Sequence, residues 1–389
     1  MKRVLIRGPL LTQSGYGVHA RQIFSYFMTR KDCDITTQVL PWGITPWCVN
    51  TEKEKGIYGE IMNRSRPLEG KFDVSVQIQL PHEWDTSLAN YNIGVTAGVE
   101  TDRCSIEWAT THREKMNLVV VPSYHTRSTF LTSGTGKEKT PIVVVPESYF
   151  PELLNDSNSD TFEFSTSKNF LTVGMFTSED SETDRKNLIN TVKWFCQEFD
   201  GNKDVGLIVK SSKGRETTID RELVRKSLKQ IVSSSGCKNP PKVYMLHGPM
   251  SRREMNDLYR HSSILGLVSA TRGEGFGLPM LEAAVAGLPV VCTNWSSVLD
   301  FLKGESFLSV DHDVVTIPES RIDGQIFVKG AKWASPRESN FKRKIKKLYD
   351  DREKYRHSAK HLSEILIASH SSESINAKYD ETFAGFLSK

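Results

Sequence analysis

Two glutamates and a cluster of glycines fall close together in the second half of the chain. The segment reads Arg272-Gly273-Glu274-Gly275-Phe276-Gly277-Leu278-Pro279-Met280-Leu281-Glu282 and continues through an alanine-rich stretch to Gly287-Leu288-Pro289-Val290-Val291. It follows an apolar, strand-like run and leads into a helix whose first turn contains Pro279, a position where the missing N–H costs nothing. The spacing therefore predicts that the main-chain amides of Gly275, Phe276, Gly277 and Leu278 sit at a helix N-terminus. Unpaired donors and the helix dipole favour anionic oxygen at such a place, and glycines let a ligand approach the backbone. Glu274 would lie at the strand end and Glu282 inside the helix, so both could address one ligand from different heights. Carboxylates accept from neutral hydroxyls and repel a bare phosphate. A ligand that offers phosphates to the amides and hydroxyls to the glutamates is a sugar nucleotide.

The run EGFGLPMLEAAVAGLPVV resembles the signature of GT-B glycosyltransferases of family 4, in which a Glu, seven residues and a second Glu recur. The resemblance implies that Glu274 bonds hydroxyls of the transferred sugar, that Glu282 bonds the donor ribose, and that Gly275, Phe276 and Gly277 contribute main-chain donors. Phe176 through Asp184-Arg185-Lys186-Asn187 is similar to the family's Arg-Lys-Asn element, which places a cation on the donor diphosphate. Like charges are disfavoured at a helix N-terminus, so two cations at such a start point to function, and either Arg185 or Lys186 fits the role. Val209-Lys210-Ser211 resembles a strand-end lysine with the same task, with a solvated lysine as the equal alternative. Leu246-His247-Gly248 stands where the family holds the nucleobase by backbone contacts.

The first half resembles the family more loosely. Gly15 and Gly17, in the stretch Gly8–Gly17 joining the first strand to the first helix, resemble a loop that lets the main chain approach the donor phosphate and acceptor. Glu100 and Asp102 lie in a turn where many members carry a His facing the reacting centre. Two readings stand equal for them: replacing that residue in orienting the acceptor, or simply capping the next helix. His125, in a Pro-Ser segment, would line the same region. The stretches RGPLLTQSGYG and GVTAGVETDR also resemble those of phage-encoded members.

These residues need elements to hold them. Strand-like runs at Val4–Arg7, Thr36–Leu40, Phe72–Gln79, Ile93–Ala97, Leu118–Pro122 and Ile142–Pro146 alternate with helical stretches, beginning with His19–Met28. A second series follows at Phe170–Met175, Gly206–Lys210, Lys242–Leu246, Ile264–Val268 and Pro289–Cys292, with helices near 185–199, 217–233, 251–261 and 279–286. This alternation predicts an α/β protein of two doubly wound parallel-sheet, Rossmann-like domains facing across a cleft. Residues 1–160 would form an N-terminal acceptor-side domain and 161–340 a C-terminal nucleotide-sugar-binding domain. Residues 341–389 would form terminal helices that return across the junction.

Composition agrees. The 389 residues are 38% hydrophobic, with 26 Gly, 16 Pro and 6 Cys, which excludes collagen-like, disordered and disulfide-scaffold classes. The cysteines form no CxxC pair and no Cys/His ligand spacing, so neither zinc nor a redox dithiol is implied. No eighteen-residue apolar run and no signal peptide is evident, which predicts a cytoplasmic protein, in the host cytoplasm if phage-encoded. Residues 1–165 hold 17 Lys/Arg against 19 Asp/Glu and the remainder 34 against 28, with Lys342, Arg343, Lys344, Lys346 and Lys347 close together.

The expectation is a retaining glycosyltransferase that moves a sugar from a nucleotide-diphosphate sugar to an acceptor hydroxyl, with no bound metal and no other cofactor. The acceptor is either a saccharide or lipid-linked glycan, or a hydroxymethylated pyrimidine in phage DNA. A non-catalytic sugar-nucleotide-binding protein is the alternative, and a donor-hydrolysis assay separates the two.

Overall fold

The computed structural model describes residues 1–387, and they form two compact units. The first comprises residues 1–148, the short segment Asp323–Val328 and the C-terminal stretch from Ser372. Its sheet is built from β1 (Lys2–Gly8), β2 (Cys33–Val39), β3 (Phe72–Ile78), β4 (Ala89–Val95), β5 (Leu118–Val121) and β6 (Ile142–Val144) in the order β2-β1-β3-β4-β5-β6. Every pairing is parallel. The connecting helices are α1 (Gly15–Met28), α2 (Ile57–Asn63), α3 (Arg113–Lys115, continuing a turn from Trp108) and α4 (Tyr124–Ser133). Strands covered on both faces read as continuous apolar runs, and Val4, Ile6, Val74, Val76, Ile93 and Val95 accordingly share one core with Phe24 and Phe27 of α1.

The second unit holds residues 149–322 and 329–371. Its sheet contains β7 (Lys168–Val173), β8 (Val205–Ser211), β9 (Lys242–His247), β10 (Ile264–Ser269), β11 (Val290–Thr293) and β12 (Leu308–Val310), again all parallel, in the order β12-β11-β10-β7-β8-β9. Helices α5 (Leu188–Glu198), α6 (Thr218–Ser233), α7 (Arg252–Tyr259) and α8 (Leu278–Val285) connect them. A small antiparallel hairpin, β13 (His312–Thr316) with β14 (Lys332–Pro336), precedes α9 (Glu338–Asp350) and α10 (Arg352–Ser369). Helices α6 and α7 start where the sequence supplies reciprocal caps, Thr217 with Asp220 and Ser251 with Glu254.

Three differences from the sequence reading have clear causes. The division falls at Ser148/Tyr149 rather than 160/161, because Tyr149 and Leu153 are buried in the second unit's core and the Tyr149 amide bonds the His370 carbonyl. The terminal helices are shared out: α9 and α10 belong to the second unit, whereas α11 (Ser372–Leu387) packs Tyr379 and Phe383 into the first unit's core. Helix α1 begins at Gly15, four residues before the first residue expected from pattern, because the Ser14 hydroxyl caps it by accepting from the Gly17 amide at 3.0 Å. Among the described residues no helix is long and apolar enough to cross a membrane.

Candidate active site

The strand order of the second sheet reverses direction between β7 and β10. The loops leaving these neighbouring strands run to opposite faces, and open α/β sheets bind ligands at the carboxyl ends of strands at such a point. The loop after β7 carries Arg185 and Lys186, and the loop after β10 carries Glu274.

The first of these loops is pinned by two buried residues. Asp184 accepts from the Thr177 amide (3.1 Å) and hydroxyl (2.6 Å) with one oxygen, and from the amides of Leu188 (2.7 Å) and Ile189 (3.3 Å) with the other. It thereby satisfies two orphan donors at the start of α5 and fastens the loop to that helix. Asn187 takes a left-handed conformation, φ 51°, and its amide group donates to the Ala270 carbonyl at 2.9 Å. The two cations between these anchors are thus presented at a helix start next to the second loop.

There Lys186 forms an ion pair with Glu274, whose side chain is almost fully buried. Burial pushes the Glu274 carboxyl up, but Lys186 and Arg185 outweigh it and hold the group below its ordinary value. Arg185 also donates to the Gly273 carbonyl at 3.2 Å. The Glu274 backbone is fixed as well: its amide donates to the Ser296 hydroxyl (2.9 Å), and the Ser297 hydroxyl donates to the carbonyls of Glu274 (2.7 Å) and Phe276 (2.9 Å).

Arg272 braces both loops. It is 6% exposed, lies 5.5 Å from the Trp333 ring centroid, and donates to the Ser181 carbonyl at 2.9 Å. Its amide bonds the Arg185 carbonyl (2.9 Å) and its own carbonyl accepts from Ala334 (3.1 Å), so one residue joins the cation loop, the Glu274 loop and β14.

Helix α8 then begins at Leu278. Gly277 precedes it with φ 99°, and a Cβ there would meet Val298 at 2.8 Å, so conformation and packing both require glycine. The Phe276 side chain is buried against Phe301, with ring centroids 5.6 Å apart, and anchors the loop from below. Further along α8, Glu282 accepts from the Tyr259 hydroxyl at 2.9 Å. Burial pushes its carboxyl up to about 7 despite that bond and the attraction of Arg252. Glu274 and Glu282 are thus set apart by environment: one is held ionised by two cations, the other is poised near neutrality.

Lys210 and His247 occupy the next two strand ends. The Lys210 ammonium donates to the Gly248 carbonyl at 2.7 Å, and burial lowers its pKa. His247 is likewise shifted down, by burial and then by Lys210, and its Nε2 is buried without a hydrogen-bond partner.

Gly15, Gly17 and Glu100 belong to the first unit. Gly15 is exposed in the first turn of α1, whereas a Cβ on Gly17 would come within 2.2 Å of the Thr12 carbonyl oxygen, so the helix start can approach its own loop only through glycine. Glu100 is half-buried in the turn after β4, next to Gly98, whose φ of 65° and contact with Thr126 fix the turn. His125 is driven down to about 4 by burial, against the pull of the Thr101 and Val99 backbone. On α9, Lys342 pairs with Glu338 and Lys346 with Asp350, the spacing of a solvated helix face. Among the described residues no group of three or more His, Cys, Asp or Glu is placed to hold a metal ion.

Two parallel-sheet Rossmann-like units, the second with a charged switch point, define the GT-B class. Solved structures agree on the fold. Sucrose-phosphate synthase from Thermosynechococcus elongatus matches with TM-score 0.65 at 12% identity over 100% of both chains. HepE of Anabaena, solved in complex with UDP and glucose, matches with TM-score 0.64 at 13% identity over 99% of this chain and 100% of its own. The trehalose 6-phosphate synthase of Burkholderia multivorans gives 0.62 at 10% identity, over 100% and 98%. Residues 196–377 match Family 4 Glycosyltransferase in conflict systems, a span that contains Lys210, His247, Glu274 and Glu282 and leaves out Arg185 and Lys186. The chain has the GT-B fold of these structures, and its residues 196–377, a little under half of its length, are similar to family 4 glycosyltransferases. No curated protein matches the chain by sequence.

Proposed function

We propose that the enzyme transfers a sugar, with retention of configuration and without a metal ion, from a nucleoside-diphosphate sugar to an acceptor hydroxyl. The observation that carries this reading is the Lys186–Glu274 pair, with Arg185 beside it, at the switch point where α5 and the α8 loop begin. In the reaction the bond between the sugar C1 and the diphosphate oxygen breaks while the acceptor oxygen bonds C1 from the same face. The acceptor proton passes to the departing diphosphate. Charge develops on that leaving group, and preorganised cations stabilise it. Arg185 and Lys186 supply those cations together with the amides of Gly275, Gly277 and Leu278, and so take the part a metal would play. Glu274 accepts from sugar hydroxyls, and Glu282 accepts from the ribose.

Lys210 and His247 sit on the nucleotide side, Lys210 by holding the Gly248 turn in place. Glu100 is the residue assigned to acceptor orientation. HepE binds UDP, which makes a uridine diphosphate sugar the first donor to try. For the acceptor, a saccharide or lipid-linked glycan is the main reading, since two of the lysines on α9 are already paired within that helix. The basic excess after residue 165 keeps hydroxymethylated DNA as the second.

The test is to incubate the protein with UDP-sugars and each acceptor class, with and without EDTA, and to identify products by mass spectrometry and anomeric NMR. The reading predicts an α-linked product from an α-linked donor in the presence of chelator. An inverted product, or transfer restored only by added Mn²⁺ or Mg²⁺, overturns it. A steep loss of acceptor binding with salt identifies DNA, because each neutralised phosphate contributes a slope of about −0.9 on a log–log plot.

A further inference from the structure

Away from the switch point, the second unit has a groove of about 560 Å³ between α6 and the edge strand β9. Its floor is apolar: Leu228 and Val232 from α6, Val243 and Met245 from β9, and Pro240 and Pro241 from the turn between them. Along one rim stand Arg221, Arg225 and Lys229, all exposed. Among the described residues that line the groove there is no carboxylate. Of the rim cations, Arg225 meets Glu222 at 3.1 Å in an exposed pair of the kind that contributes little in water.

The three cations fall at i, i+4 and i+8 on one helix, so they form a slanting row that rises by about 6 Å per step. Spread in this way they do not converge on one headgroup. They match a partner that carries negative charges in a row, and two kinds of polymer do so. A nucleic-acid strand offers phosphates, but its bases need aromatic faces to stack on beside the charges; the described residues of the groove include none, its two arginines belong to the charged row itself, and its floor offers Leu, Val, Met and Pro. An acidic amphipathic helix offers carboxylates at its own i, i+4 spacing together with an apolar stripe beside them, which is what the floor requires. We infer that the α6–β9 groove is a docking surface for an acidic amphipathic helix of a partner protein, laid along α6 with its apolar stripe on the floor and its carboxylates against Arg221, Arg225 and Lys229.

The inference does not depend on the sugar-transfer reading, and its test reads binding alone. The probe is a fluorescein-labelled amphipathic helical peptide with Glu at every fourth position and Leu along the adjoining stripe, titrated with the full-length protein and read by anisotropy. Binding is expected to weaken as salt rises. It should fall at least about tenfold both in the triple variant R221E/R225E/K229E and in M245E. The triple variant changes only exposed side chains, so its thermal transition should match the parent and keep the result interpretable. No binding to the parent, equal binding to the triple variant, or complete competition by an oligothymidylate strand would each overturn the proposal. So would preference for anionic phosphatidylglycerol vesicles over the peptide.

Discussion

The switch points of the two units are built from opposite materials. In the second unit, β7 and β10 lie side by side, and the loops leaving them bring Lys186 to Glu274 and Arg185 to the Gly273 carbonyl. In the first unit, the order reverses between β1 and β3. There Arg7 is used up on the side chains of Gln38 (2.8 Å) and Gln79 (2.7 Å), and Gly17 is needed because the loop after β1 folds back on itself. One crevice sets charged side chains against each other at its strand ends, and the other ties its cation to neutral partners within its own architecture. A glycine beside a strand end therefore has two physical meanings. Gly277 sets a helix N-terminus through a positive φ, whereas Gly17 makes room for a carbonyl.

Five substitutions break or sharpen this contrast. The largest effect is expected from Lys186→Met, which removes the cation proposed to face the departing diphosphate and leaves Glu274 buried with less compensation. Steady-state kinetics should show kcat down by about 10²–10³-fold, with secondary structure by circular dichroism unchanged. A variant with parental kcat would remove the switch-point pair from the chemistry.

Arg272→Ala should follow, with kcat/KM for the donor lower by about 10–100-fold, because a brace that joins three segments is lost and small misplacements of reacting groups are costly. Hydrogen exchange over residues 176–187 should accelerate in the same variant. Unchanged protection there would show that Arg272 does not hold the loop.

In the first unit, Gly17→Ala should destabilise by about 1–3 kcal/mol, since the added methyl meets backbone rather than a yielding side chain. Gly15→Ala, with open space around it, should shift denaturant midpoints by less than about 0.5 kcal/mol. Equal effects at the two positions would erase the distinction drawn between them.

The smallest effect concerns pH. The Glu282 carboxyl, raised from 4.5 to about 7, keeps a proton in the folded state over a range where the unfolded chain has released it. Its contribution to stability is therefore complete below the ordinary value and is lost as pH rises through about 7. On the proposed role of Glu282, binding of UDP should strengthen over the same rise, because an ionised carboxylate can accept from both ribose hydroxyls. Calorimetry on either side of that value, repeated with Glu282→Gln, should show both dependences flattened; a pH response that survives the substitution belongs to another group.

Much of this was legible in the residues. The alternation of apolar runs with helical stretches located all six strands of the first sheet and five of the six in the second. The exception, β12, is only three residues long. The hairpin strand β13, His-Asp-Val-Val-Thr, was not legible, because it is largely exposed and carries no alternation of apolar and polar residues. The start of α1 was placed late because Gly15-Tyr16-Gly17 are weak helix formers, and the cap that overrides their preference lies outside the helix.

The sequence by itself determined the fold class, since period and strand length are local properties of the chain. It also marked out the short segments proposed to carry chemistry, since Glu274, Glu282, Arg185 and Lys186 stand in motifs whose helix starts can be read from Pro279 and from the cations. What only the tertiary structure decided is how those groups are held and charged. Asn187, Arg272 and Tyr259 act through partners elsewhere in the fold, Arg272 through residues 91 positions before it and 62 after. Such pairings leave no periodic trace, because contact across a sheet depends on strand order and not on separation along the chain. The same holds for the opposed states of the two glutamates, which share a motif and a residue type. Burial drives both carboxyls towards the neutral form, and only the neighbour that folding brings to each, Lys186 in one case and Tyr259 in the other, decides which keeps its charge.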